Sequence, residues 1–154
     1  MNDSASSRPS ERERTSSAAE TEAVGAALAT SLEPGDVVLV TGELGAGKTT
    51  LVRGAARALG VEVPITSPTF TIGQRYPARG AAPSVSHLDL YRLGDLSGED
   101  PELLADYINP GSIAFVEWPE GAEAEIGAFG RVALTVSIAH AGGDRRTLQI
   151  RPGR

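Results

Sequence analysis

Five stretches of the chain alternate or run apolar in the manner of strands, and two carry apolar residues at helical spacing. Asp36-Val37-Val38-Leu39-Val40 is a near-continuous apolar run that suits a strand buried on both faces. Ser112-Ile113-Ala114-Phe115-Val116-Glu117 repeats that pattern and ends in an acid. Val85 to Leu93 reads as a strand with Leu88 and Leu90 on one face and His87, Asp89 and Tyr91 on the other. Arg131 to Ile138 alternates cleanly, Ala141-Gly142-Gly143-Asp144 is a turn, and Arg146 to Ile150 alternates again, so a β-hairpin is expected at the C-terminal end. Phe70 to Tyr76 is a further candidate strand. Leu51, Ala55, Ala58 and Leu59 are spaced for a helix that stops at Gly60. Val24, Ala27, Leu28 and Leu32 stripe another, which opens with the capping box Ser17-Ala18-Ala19-Glu20. A short helix is expected over Pro101 to Ile108, with Pro early and an acid in its first turn. The sum is one α/β domain with a mixed, mainly parallel sheet, flanked by helices and antiparallel at one side. Residues 1–15, polar and nearly without apolar side chains, are expected to be a disordered tail, with the domain covering 16–154.

The join between the first apolar strand and the second helix carries the chemistry. Gly42-Glu43-Leu44-Gly45-Ala46-Gly47-Lys48-Thr49 fits G-x-x-x-x-G-K-[ST], the P-loop pattern, in the strand–loop–helix context it requires. Glycines let successive N–H groups turn toward one phosphate, and the helix start adds its positive dipole end. Lys48 is the candidate for the β- and γ-phosphates, and the Thr49 hydroxyl for Mg²⁺. Glu117 ends a hydrophobic strand, the Walker B arrangement; it is either a Mg²⁺ partner of Thr49 or a surface acid at a strand end. Asp89 either serves the nucleotide site or caps the following turn, and His87 is expected to be exposed. Ser67 and Thr69, in Ser67-Pro68-Thr69, are either γ-phosphate sensors or turn caps. Trp118, the one tryptophan, either lines the site or covers a sheet edge.

Composition narrows the class. The chain has 154 residues and no cysteine, which excludes disulfides and thiolate metal sites. No apolar run approaches the roughly 20 residues of a membrane-spanning helix, and a cytoplasmic protein is expected. Fourteen basic against 20 acidic residues give a formal charge of −6, where a chain that grips nucleic acid unaided usually carries a basic surplus. Arg8, Arg12 and Arg14 form a potential phosphate-binding arm, but Glu11 and Glu13 alternate with the latter two and cancel much of the charge.

The P-loop, Ser67-Pro68-Thr69-Phe70, His87-Leu88-Asp89-Leu90-Tyr91-Arg92-Leu93 and Glu117-Trp118-Pro119-Glu120 occur in this order and closely resemble the bacterial TsaE (YjeE) family. The resemblance runs from about Ser17 to the C-terminal hairpin and departs at the polar N-terminal extension, at Phe70 and at Leu88. It implies a small P-loop ATPase that binds ATP and Mg²⁺ and hydrolyses slowly. The implied role is formation of the threonylcarbamoyl group on N6 of the adenosine beside the anticodon, in tRNAs reading codons that start with A. The implied partners are the TsaB–TsaD pair, with tRNA reached through that complex and no membrane involved. It further implies that Gly45, Ala46, Gly47, Lys48, Thr49 and Thr50 bind phosphate, that Thr49 and Glu117 hold Mg²⁺, that Asp89 is needed for activity, that Thr69 is switch-like and that Trp118 lies close to the nucleotide. Regions near Ser17, Ala18 and Gly142 are implied to approach the nucleotide. The rival reading is a small-molecule kinase on the same loop, for which Arg145 and Arg146 are poor lid arginines, being hairpin residues expected to be solvated.

Overall fold

The computed structural model describes residues 10–68, 72–80, 82–91 and 102–153. A seven-stranded sheet in the order β1-β7-β6-β2-β5-β4-β3 divides the domain into two layers. Its strands are β1 (Glu11–Thr15), β2 (Asp36–Thr41), β3 (Gly73–Tyr76), β4 (Ser84–Asp89), β5 (Ser112–Glu117), β6 (Arg131–His140) and β7 (Arg146–Pro152). The helices are α1 (Ala18–Ala29), α2 (Lys48–Ala58), α3 (Glu102–Ala105) and α4 (Glu123–Phe129).

The central strands β6, β2, β5 and β4 pair in parallel. Antiparallel pairs flank them at both edges rather than at one: β3 on β4, and β7 on β6 with β1 on β7. The apolar runs of β2 and β5 are buried along nearly their whole length because each has neighbours on both sides and a helical layer on both faces. On one face, α1 and α2 pack over Val38, Val40, Phe115, Val136, Ile138, Leu148 and Ile150. On the other, α3 and α4 cover Val37, Leu39, Leu88, Ala114 and Val116.

Local chemistry sets the helix ends. Glu20 N–H donates to Ser17 Oγ at 3.1 Å, and Glu20 Oε1 accepts from Ser16 N–H at 2.7 Å, one residue before the cap where the capping box expects the return bond. Past α2, Gly60 takes φ 102°. Its N–H donates to Arg57 O and that of Val61 to Ala56 O, closing the helix in a Schellman motif. Asp36, nearly fully buried at the start of β2, accepts from Arg131 at the paired start of β6, with Nε at 2.8 Å and Nη2 at 2.5 Å.

Two expectations change. The polar tail was expected to be disordered through Thr15, but from Glu11 it is an edge strand on β7. Its main chain supplies the pairing, so no apolar side chain is needed, and Thr15 Oγ1 meets Thr21 Oγ1 at 2.8 Å to tie it to α1. Helix α4 was not expected; in Glu123-Ala124-Glu125-Ile126-Gly127-Ala128-Phe129 only Ile126 is buried, too sparse a stripe to register as periodicity. The structure starts β3 at Gly73, and the expected start at Phe70 lies outside the described residues, as do residues 92 and 93 of the strand expected over β4.

Helices α1 and α2 approach closely because each presents a glycine to the other. A methyl group at Gly25 would overlap the Leu51 carbonyl oxygen, and one at Gly54 would overlap Glu22 backbone. Gly25→Ala and Gly54→Ala should each lower stability by about 1–3 kcal/mol through overpacking. Gly127→Ala, in open space on α4, should be neutral or stabilising by up to about 1 kcal/mol. Thermal and urea unfolding of the three variants checks the contrast.

Candidate nucleotide site

The site sits at the C-terminal ends of β2, β4 and β5, where an open α/β sheet places its ligands. The loop from β2 into α2 turns through Gly42, Gly45 and Gly47 at φ 147°, 77° and 108°. These are left-handed values that a side chain would oppose. Gly47 caps α2 without a side-chain acceptor. Among the described residues, the N–H groups of Lys48, Thr49 and Thr50 meet no acceptor, so the positive end of an eleven-residue helix faces the cleft with donors to spare.

Lys48 lies back across the loop. Its Nζ donates to Gly42 O at 2.7 Å and Glu43 O at 2.8 Å, and stands 4.4 Å from the centroid of the Trp118 ring. Burial lowers its pKa, opposed by the charges of Glu117, Asp89 and Glu120. Trp118 is the one described non-glycine residue at positive φ, 57°. A bulky side chain in that conformation is strained, and here the strain turns the indole over Lys48. Tyr91 meets it with ring centroids 4.7 Å apart.

Glu117 is almost fully buried. Its Oε2 accepts from Thr49 Oγ1 at 2.9 Å and lies 2.5 Å from His87 Nε2. Thr49 Oγ1 also meets Ser67 Oγ at 2.7 Å. His87, expected at the surface, is fully buried. It sits on β4, two residue pairs before Asp89 and Glu117 come level, and its ring reaches along to the carboxylate. Because Glu117 Oε2 is an acceptor, Nε2 carries the proton. His87 Nδ1 has no partner among the described residues. The polar alternation of His87 and Asp89 on a core-like strand was the available signal; the reach to Glu117 was not visible in it.

Asp89 faces the same cleft and also does what a turn cap does, its Oδ1 accepting from Tyr91 N–H at 3.0 Å. The two readings of this residue are compatible. Burial raises its pKa; the Tyr91 N–H opposes this, and the nearby Glu117 carboxylate adds to it. Together Leu44, Lys48, Thr49, Ser67, Asp89 and Trp118 help line a cleft of about 330 Å³. Thr69 lies outside the described residues.

A smaller hollow of about 80 Å³ adjoins the loop, bounded by Ser17, Ala18, Thr21, Gly47, Thr50, Asp144 and Arg146. It joins the start of α1 to the β6–β7 turn at the P-loop. Arg146, expected to be solvated, is instead a brace: its Nε donates to Ala46 O at 2.9 Å and Nη1 to Gly143 O at 2.8 Å. The guanidinium ties up carbonyl oxygen on the outer side of the loop.

Hard oxygen donors at Thr49 and Glu117, beside unpaired N–H groups, match what Mg²⁺ takes from a protein when phosphates and water complete its shell. A profile of the family described as "Threonylcarbamoyl adenosine biosynthesis protein TsaE" matches residues 15–148. The chain belongs to the TsaE family. Relatives called "tRNA threonylcarbamoyladenosine biosynthesis protein TsaE" include one from Streptomyces coelicolor, 45% identical over 103 residues, covering 67% of this chain and 70% of the relative. That from Bacillus subtilis is 37% identical over 136 residues, covering 88% and 81%. The Mycobacterium tuberculosis relative is 43% identical over 104 residues, covering 64% of this chain and 62% of its own. Among solved structures, "Crystal structure of Bacillus subtilus YdiB" superposes with a TM-score of 0.70 at 32% identity, covering 94% of this chain and 86% of the other. TsaE membership accords with the mixed α/β architecture and with the loop at its centre.

The raised pKa of Asp89 has a stability consequence. Below the ordinary carboxylate range the group is protonated in both folded and unfolded chains, and its burial costs nothing extra. As pH rises through the folded pKa, the buried charge destabilises the fold. Asp89→Asn should therefore raise the melting temperature of the nucleotide-free chain at neutral pH, with the gain vanishing in acid. Melts across pH 3 to 8 would refute this if the variant were no more stable than the parent at pH 7.

Proposed function

We propose that this chain is an ATP-binding and ATP-hydrolysing component of tRNA threonylcarbamoyladenosine formation, working with the TsaB–TsaD transferase pair. Family membership supports the tRNA-modification role. The observation that supports the ATP reading is the free donor set of Lys48, Thr49 and Thr50 beside the Lys48 ammonium and a part-buried threonine–glutamate pair.

In this reading Gly45, Ala46, Gly47, Lys48, Thr49 and Thr50 bind the phosphates, through backbone N–H groups and the Lys48 ammonium. Lys48 exchanges its bonds to Gly42 O and Glu43 O for phosphate oxygens, and the Trp118 ring above it shields the pair from water. Thr49 and Glu117 hold Mg²⁺, which supplies charge neutralisation on the phosphates. His87 is a positioning residue: its Nε2–H engages one Glu117 oxygen and fixes the carboxylate's orientation. Asp89, at the cleft wall with a burial-raised pKa, is suited to accept a proton from an attacking water. Thr69 retains the switch role implied by the resemblance. The small-molecule kinase reading is less favoured, because the helix after Glu117, α4, packs on the opposite face of the sheet instead of over the cleft.

Calorimetric titration with ATP·Mg²⁺, with Trp118 fluorescence alongside, tests this. Lys48→Ala should weaken ATP binding about 10- to 100-fold, the worth of a charged hydrogen-bond donor. His87→Ala should raise the Mg²⁺ needed for half-maximal hydrolysis by about 10- to 100-fold, with His87→Gln recovering part of the loss. A wild-type chain that binds no ATP sinks the proposal. Phosphorylation of a small acceptor without the partner pair would establish the kinase instead.

A further inference from the structure

The antiparallel end of the sheet sorts charge by face. In β1 the register places Arg12 opposite Gln149 and Arg14 opposite Thr147, while Glu11 and Glu13 stand opposite Ile150 and Leu148. Directly paired residues share a face. Ile150 and Leu148 belong to the core under α1 and α2, so both acids lie on the helix side and both arginines on the other. Extending the rows across β7 and β6 gives Arg12–Gln149–Ser137, Arg14–Thr147–Ala139 and Arg151–Thr135. Arg12, Arg14 and Arg151 are exposed. No hydrogen bond or ion pair engages them among the described residues.

This half of the face therefore offers three free guanidinium groups with hydroxyl and amide side chains between them, in a chain whose formal charge is −6. None of the residues in these rows is acidic. Among the described residues that line the adjoining groove of about 570 Å³ with Arg151, the carboxylate is Glu123 of α4. Arg with Ser, Thr and Gln is the side-chain set that binds phosphate and sugar oxygens. The rows hold no aromatic or large aliphatic anchor of the kind a protein partner's hot spot requires. The Ser137 row ends at Thr41, whose hydroxyl donates to Ser137 Oγ at 3.0 Å, directly before the P-loop. The face thus runs up to the nucleotide site's own strand.

We propose that the open face of β1, β7 and β6, through Arg12, Arg14 and Arg151, contacts the sugar–phosphate backbone of tRNA. The inference rests on the tRNA-modification role and is independent of ATP hydrolysis. It changes the expectation that tRNA is reached only through the partner complex, since strand geometry separates charges that cancel in the linear sequence.

The test is fluorescence polarisation of a labelled, unmodified tRNA transcript titrated with the full chain at 50 and 200 mM salt. Three phosphate contacts weaken binding roughly 20- to 40-fold between those concentrations. The triple variant Arg12→Gln/Arg14→Gln/Arg151→Gln should bind at least about tenfold more weakly at 50 mM and lose most of the salt dependence. Arg57→Gln/Arg79→Gln, which removes two positive charges elsewhere, should stay within about twofold of wild type because those sites make no phosphate contact. Melting temperature and ATP affinity of the triple variant should be unchanged, which separates loss of the face from loss of the fold. The inference is overturned if the wild-type chain does not bind the transcript at 50 mM salt, if the triple variant binds it as well as wild type, or if the control loses as much. Intact RNA binding with weakened capture of the partner pair would make the face a protein-docking surface and overturn it equally. Failure of the wild-type chain to bind ATP counts against the proposed ATPase, while the RNA arms still decide the face.

Discussion

A carboxylate withdrawn from water at the end of β5 constrains what surrounds it. Glu117 is about 3% exposed. An ionised group there is tolerated only where donors replace its hydration. Two side chains from different elements do so, Thr49 from the first turn of α2 and His87 from β4. The first couples the strand to the phosphate loop and the second couples it to its neighbour in the sheet. The spacing of β4, β5 and α2 is thereby tied to one oxygen atom, and the metal-binding geometry proposed for Thr49 and Glu117 inherits that rigidity.

The division of the sheet follows the same logic. Parallel strands at the centre bring the ends of β2, β4 and β5 to one edge, so Gly42, Asp89 and Glu117 converge although they are far apart in sequence. The antiparallel end does other work. Its turn sends Arg146 back to the outer carbonyl of Ala46, bracing the loop. Its outer strand sorts arginines from glutamates. One sheet thus carries a rigid chemical edge and a separate charged face.

Strain is concentrated at the same edge. Trp118 sits at φ 57° directly after the buried Glu117, and the indole caps Lys48 as a consequence. Asp89 is held ionisable in a place that disfavours its charge. Both are costs to folding, and both lie at the cleft, where strain and disfavoured charge characteristically mark a functional site.

What the sequence by itself determined was local. The P-loop, its flanking strand and helix, the Ser17 cap, the Gly60 stop and the C-terminal hairpin each depend on residues within a few positions of one another, so period and turn chemistry reveal them. Glu117 stood out for the same reason, as the acid ending an apolar run. Tertiary structure decided the rest. His87 meets Glu117 thirty residues away, and nothing in a nine-residue strand pattern says which neighbour its ring will face. Arg146 reaches the loop across a hundred residues. The strand character of Glu11 to Thr15 comes from main-chain pairing with β7, invisible in side chains that are all polar. Its alternating charges read as cancellation along the chain, yet become separation once the pleat sends successive side chains to opposite faces.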